Sequence, residues 1–163
     1  GRLVLLSVLL YLVNIAKSSR TGRKINVHAC FIATAAAWLF VTVFFGLALV
    51  YNFTRPFLSK DILAYLPLHA HAGLLGWFLL LIIGVGSRLI PMFLISKHED
   101  KKRLWIIYGL INGGLIYFLF SFYLDEKFAV ILPVCMIGLA LLLFAGFNLF
   151  YMLALRFLFP ILS

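Results

Sequence analysis

The chain has 163 residues, of which 65% are hydrophobic and only 12% charged, and it carries a net charge of +9. A soluble domain is nearer 45–50% apolar and about 25% charged, so these figures exclude an ordinary water-soluble fold and place the chain in a membrane. The positive balance does not require nucleic acid: the bases cluster in short loops between apolar runs, where the positive-inside rule accounts for them, and no nucleic-acid partner is expected.

In chain order, the runs predict about five transmembrane helices: an all-α integral membrane bundle forming a single domain over 1–163. Residues 3–16 form the first span. A basic loop, 17–24, follows with Lys17, Arg20, Arg23 and Lys24. The second span covers 25–53 and carries Asn26, His28 and Cys30 in its first turns. Between the second and third spans, Ser59 is a candidate N-cap, and Ile62, Leu63 and Leu66 repeat at helical spacing. This predicts a short interfacial helix over about 59–66, anchored at the membrane surface by Phe57 and Tyr65. Pro67 then restarts the chain as the third span, 67–95. A charged loop, 96–103, contains His98, expected to be solvated. The fourth span, 104–123, contains Gly109, Asn112, Gly113 and Gly114, and the small-xxx-small pair Gly109 and Gly113 predicts a helix-packing seam. The last span is 128–155. Cys30 and Cys135 lie in separate apolar runs without metal-type spacing and read as small core residues. The chain begins without methionine, and its expected place is as a fragment of a longer multi-span protein.

Loop charges set the expected orientation. The loops 17–24 and 96–103 carry +4 and +2, whereas the alternate loops carry about +1 and −1. By the positive-inside rule, loops 17–24 and 96–103 are cytoplasmic. His69 and His71 then enter the third span from the outer side. His28 and Arg88 lie near the inner side.

The third span holds the chemistry. Ionisable groups in a spanning segment cost about 2.5–3.5 kcal/mol on insertion scales for Arg, so they usually mark function. Two positions apart on an α-helix is roughly 200°, so His69 and His71 point to opposite sides and cannot chelate one ion from a regular helix. Gly73 and Gly76, four and seven residues after His69, share its face. That bared face suits either a flat ligand or a closely packed neighbouring helix. Leu75 and Phe78 fall on the His71 face. His28 sits at the opposite end of an antiparallel neighbour and cannot share a metal with His69. Arg88 is placed either to snorkel to the interface or to neutralise an acid such as a haem propionate.

The run His69-Ala70-His71-Ala72-Gly73-Leu74-Leu75-Gly76-Trp77, followed by Ile83-Gly84-Val85 and Arg88-Leu89-Ile90-Pro91-Met92-Phe93, resembles the His-x-His…Gly-Trp spans of bacterial membrane proteins similar to the haem–copper oxidase catalytic subunit. It also resembles the related nitrogen-oxide-response family. The likeness covers about 27 residues, and Asn26-x-His28 extends it into the preceding span. It implies a helical bundle in a bacterial inner membrane in which an outer-side histidine, His69 or His71, ligates haem iron. The glycine face favours His69. Imidazole suits haem iron and copper alike, so His69, His71 and His28 are the candidate metal ligands, with Gly73, Gly76 and Arg88 around the cofactor. The chain has four histidines and no adjacent pair. The resemblance therefore implies part of a cytochrome-oxidase-like oxidoreductase of the respiratory chain, not complete in this chain, with other subunits or the remaining sequence supplying the second axial ligand. Met136 is a weak internal candidate. No catalytic side chain is assigned. Two other classes fit the composition: a metal or proton permease gated by His69 and His71, and a non-catalytic assembly or structural subunit.

Overall fold

A computed structural model describes residues 1–20, 26–58, 61–93, 100–124 and 130–158. The chain is all-α: α1 (Arg2–Arg20), α2 (Val27–Thr54), α3 (Ile62–Phe93), α4 (Lys101–Leu124) and α5 (Ile131–Leu158), with no strand among the described residues. Within lipid every backbone N–H and C=O must be satisfied internally, and a continuous apolar segment does this only as a helix. Four helices, α2 to α5, are long and apolar enough to cross a membrane. Large apolar side chains such as Phe44, Leu74, Phe120 and Leu142 are more than half exposed. Large apolar side chains exposed in this way on each helix belong against lipid tails, not water. The chain is an integral membrane protein.

Contacts divide the chain into two compact units, Gly1–Leu81 and Ile82–Ser163, and α3 contributes to both. In the first unit, α1 packs along α2, and α2 packs against the first half of α3. Asn26 caps α2, its Oδ1 accepting the His28 N–H at 3.1 Å. At the far end of α2 the Tyr51 hydroxyl accepts both Nε and Nη2 of Arg2, tying down the start of α1. In the second unit α4 packs on α5. Its fully buried stripe is Leu104, Ile107, Ile111 and Leu115, the three-and-four spacing of one helix face.

Three expectations change. Residues 62–66 are not a separate interfacial helix. They are the first turn of α3, which runs from Ile62 through Pro67 to Phe93 without interruption. Proline deletes one backbone donor near the helix start, but breaking the helix there would orphan several groups in an apolar setting. Tyr65, expected at the surface, is 5% exposed, whereas Phe57 is exposed. The glycine seam of α4 also shifts by one residue. A Cβ at Gly109 would meet nothing within 4 Å, whereas at Gly114 it would lie 3.0 Å from Ile137 Cγ1 and 3.3 Å from the Pro133 carbonyl. Gly113 and Gly114 therefore face α5. The Asn112 Nδ2 donates to the Tyr108 carbonyl of its own helix at 2.9 Å. Cys30 is half-buried, but Cys135 is exposed instead of core. Ser59 and His98 lie outside the described residues.

Candidate functional site

His69 lies on the side of α3 that faces α2. Its Nδ1 is 3.0 Å from the Thr42 carbonyl oxygen. A carbonyl only accepts, so Nδ1 carries the proton, and in the neutral ring Nε2 holds the free lone pair. The ring also lies against Gly46, where an added Cβ would come within 2.9 Å of Cε1.

The contact continues as a ladder. Along α2, Trp38, Thr42 and Gly46 are four residues apart, one per turn. Running the opposite way along α3, Gly76 meets Trp38, Gly73 meets Thr42, and His69 meets Thr42 and Gly46. The Thr42 hydroxyl donates back to the Trp38 carbonyl at 2.8 Å, so it makes no demand on the interface. The glycine face thus shows what its bareness is for. At Gly76 a Cβ would sit 2.6 Å from Trp38 Cγ, and at Gly73 3.2 Å from Thr42 Cγ2. The flat group lying over Gly76 is the Trp38 indole, and the glycines admit a neighbouring helix.

Beside this ladder, His69, Ala70, Gly73, Leu74, Trp77 and Phe78 of α3 line an open groove of about 460 Å³ with Leu39 and Thr42 of α2. Its walls are nearly all apolar. Volumes of about 300–1,000 Å³ with one or two placed polar groups are typical of small-molecule and cofactor sites. The α3 residues come in adjacent pairs every four positions, the spacing of one helix face. Ala72–Leu79 within this stretch is a π-helix. Phe78, expected on the His71 face, lines the groove.

His71 points away from this contact. It is exposed on α3, with Nδ1 2.7 Å from the Pro67 carbonyl one turn back. The two histidines do not converge, as a continuous helix requires. His28 is buried in the first turn of α2. Thr42 and Gly46 lie fourteen and eighteen residues further along α2, about 21–27 Å at the α-helical rise, so His28 and His69 form no common site. Arg88 is exposed on the part of α3 that belongs to the second unit and does not line the groove. The Met136 methyl packs on Gly113. Among the described residues no three His, Cys, Asp or Glu side chains come together as a metal cluster.

Sequence reasoning missed Leu39, Thr42 and Gly46, since nothing in α2 itself signals that α3 brings a histidine to that turn. It also missed Trp77 and Phe78 as groove walls. Compared with protein-family models, curated proteins and solved structures, the chain matches none.

Proposed function

We propose that the chain is a haem-binding membrane redox protein, with His69 Nε2 as an axial ligand to iron and the apolar groove beside it holding a porphyrin face or edge. The observation that carries this reading is the state of the His69 ring. Its Nδ1–H is spent on a backbone carbonyl, which leaves Nε2 as the donor atom at an apolar groove. Metal-ligating histidines characteristically donate their other nitrogen in this way, which fixes the tautomer and raises the basicity of the ligating atom. The donor set fits one axial position of a haem, and the groove supplies Trp77 and Phe78 as aromatic walls. A π-helical segment beside the ligand is a further support, because such segments occur frequently at functional sites.

In this reading His69 would hold the iron, and Leu39 and Leu74 would keep water from it. Bound haem supplies one-electron chemistry, at a potential set by its ligands and by the low polarity around it. With the basic loops on the cytoplasmic side of a bacterial inner membrane, His69 sits toward the outer face. Copper is a second metal that the same imidazole would accept.

The test is an optical spectrum of the detergent-purified protein, oxidised and dithionite-reduced, beside His69→Ala and His71→Ala. A Soret band lost in His69→Ala and kept in His71→Ala supports the assignment. A band lost only in His71→Ala moves the ligand to the exposed histidine. One observation favours a second reading: the His69–Thr42 hydrogen bond joins α2 to α3 with no ligand needed. A structural or assembly subunit would use His69 as that clamp. It would show no Soret band, and His69→Ala would lower its stability alone.

A further inference from the structure

We propose that Gly46 is a positioning residue for His69: its missing side chain exposes the Thr42 carbonyl sideways, and this exposure selects the Nδ1–H tautomer that presents Nε2 as a ligand. This role of Gly46 deepens the haem reading and rests on it, while the contact between the glycine and the ring is independent of it.

In an α-helix the N–H of residue i+4 bonds the carbonyl of residue i, so the residue at i+4 stands beside that carbonyl. For the Thr42 carbonyl that residue is Gly46. Any Cβ there would occupy the space of the imidazole, at 2.9 Å from Cε1, 3.4 Å from Nδ1 and 3.8 Å from Nε2. The three distances place the Cε1 corner of the ring against the glycine, its Nδ1 side nearer than its Nε2 side. A methyl at that position would make the ring move off its Cε1 contact, and that movement draws on the same Nδ1 that lies 3.0 Å from the Thr42 oxygen. A carbonyl already accepting one helical bond has a second lone pair, and only a side approach reaches it. Gly46 permits that approach.

Thr42 contributes only its backbone oxygen, since its hydroxyl is turned to Trp38. The specificity therefore lies in the glycine. Gly73 supplies a control in the same interface. A Cβ there presses on Thr42 Cγ2 at 3.2 Å without touching the ring.

The experiment is ¹⁵N NMR of the histidine rings in the full-length chain in micelles, reduced with dithionite so that any low-spin iron is diamagnetic. In wild-type protein the Nδ1–H form of His69 should exceed the Nε2–H form about fivefold or more, the ratio that a single net hydrogen bond sustains. Gly46→Ala should collapse that excess, and Gly73→Ala should keep it. Where a Soret band is present, Gly46→Ala should also weaken haem retention by roughly tenfold or more, as loss of a ligand-orienting hydrogen bond does. If Gly46→Ala does not fold, a through-hydrogen-bond coupling between His69 Nδ1 and the Thr42 carbonyl carbon of wild-type protein decides the question. An Nε2–H tautomer in wild type, an unchanged tautomer in Gly46→Ala, or no coupling overturns the proposal. A protein without a Soret band but with the expected tautomer response would refute the haem reading and leave the role of Gly46 intact.

Discussion

Replacing Gly76 by alanine should separate α2 from α3, and the structure gives the size of the effect. The new Cβ would lie 2.6, 2.7 and 2.9 Å from Trp38 Cγ, Cδ2 and Cβ. Comfortable carbon contacts are about 3.5–4.0 Å, so something must move by roughly 1 Å. The atoms struck are the root of the side chain, where rotation of the indole gives little relief, and Trp38 is buried. The helices themselves must part. A gap of 0.5–1 Å forfeits about a quarter to a half of each dispersion contact, and lipid offers no hydrophobic compensation for lost helix packing. The cost should fall in the upper part of the ~1–3 kcal/mol range for overpacking, a shift of about tenfold or more in the folding equilibrium. Trp38→Ala alone should also destabilise, by leaving a cavity. In the double variant the added methyl enters space the indole has vacated, so the clash disappears. A double-mutant cycle measured by denaturant titration in mixed micelles should show a favourable coupling of about 1–3 kcal/mol. Additivity within about 0.5 kcal/mol would refute the contact between Trp38 and Gly76.

Other outcomes follow from single contacts. Asn52 Oδ1 accepts the Phe57 and Leu58 N–H groups at 2.8 and 3.0 Å while the residue is buried. Asn52→Ala should cost about 1–3 kcal/mol and raise hydrogen exchange at those two amides; unchanged exchange would remove Asn52 as the anchor of the segment after α2. Gly114→Ala should destabilise the α4–α5 contact, whereas Gly109→Ala meets nothing within 4 Å and should be neutral or stabilising by up to ~1 kcal/mol through helix propensity. Equal effects of the two in a thermal melt would contradict the seam placed at Gly113 and Gly114.

Much of this protein is legible in its sequence, because the bilayer leaves few options. Apolar runs of spanning length have to be helices, so the all-α class follows from composition and length, although of the five expected spans the first, 3–16, is not among the four helices long and apolar enough to cross a membrane. The opposed directions of His69 and His71, the shared face of His69, Gly73 and Gly76, and the distance from His28 to His69 follow from helical geometry and antiparallel order. Each is a statement about one helix or about the ends of two.

What lies across the interface depended on the tertiary structure. Nothing in α3 says whether its glycines bare a face for a ligand or for a helix; Trp38 and Thr42 answer that, from 38 and 31 residues away in sequence. Nor does α2 announce that the turn at Thr42 and Gly46 receives an imidazole. The π-helix over Ala72–Leu79 is a third case. Its residues have no local signature that separates i→i+5 from i→i+4 bonding. Composition and periodicity determined the helices and which residues share a face; the meeting of two helices determined which nitrogen of His69 bonds the Thr42 carbonyl.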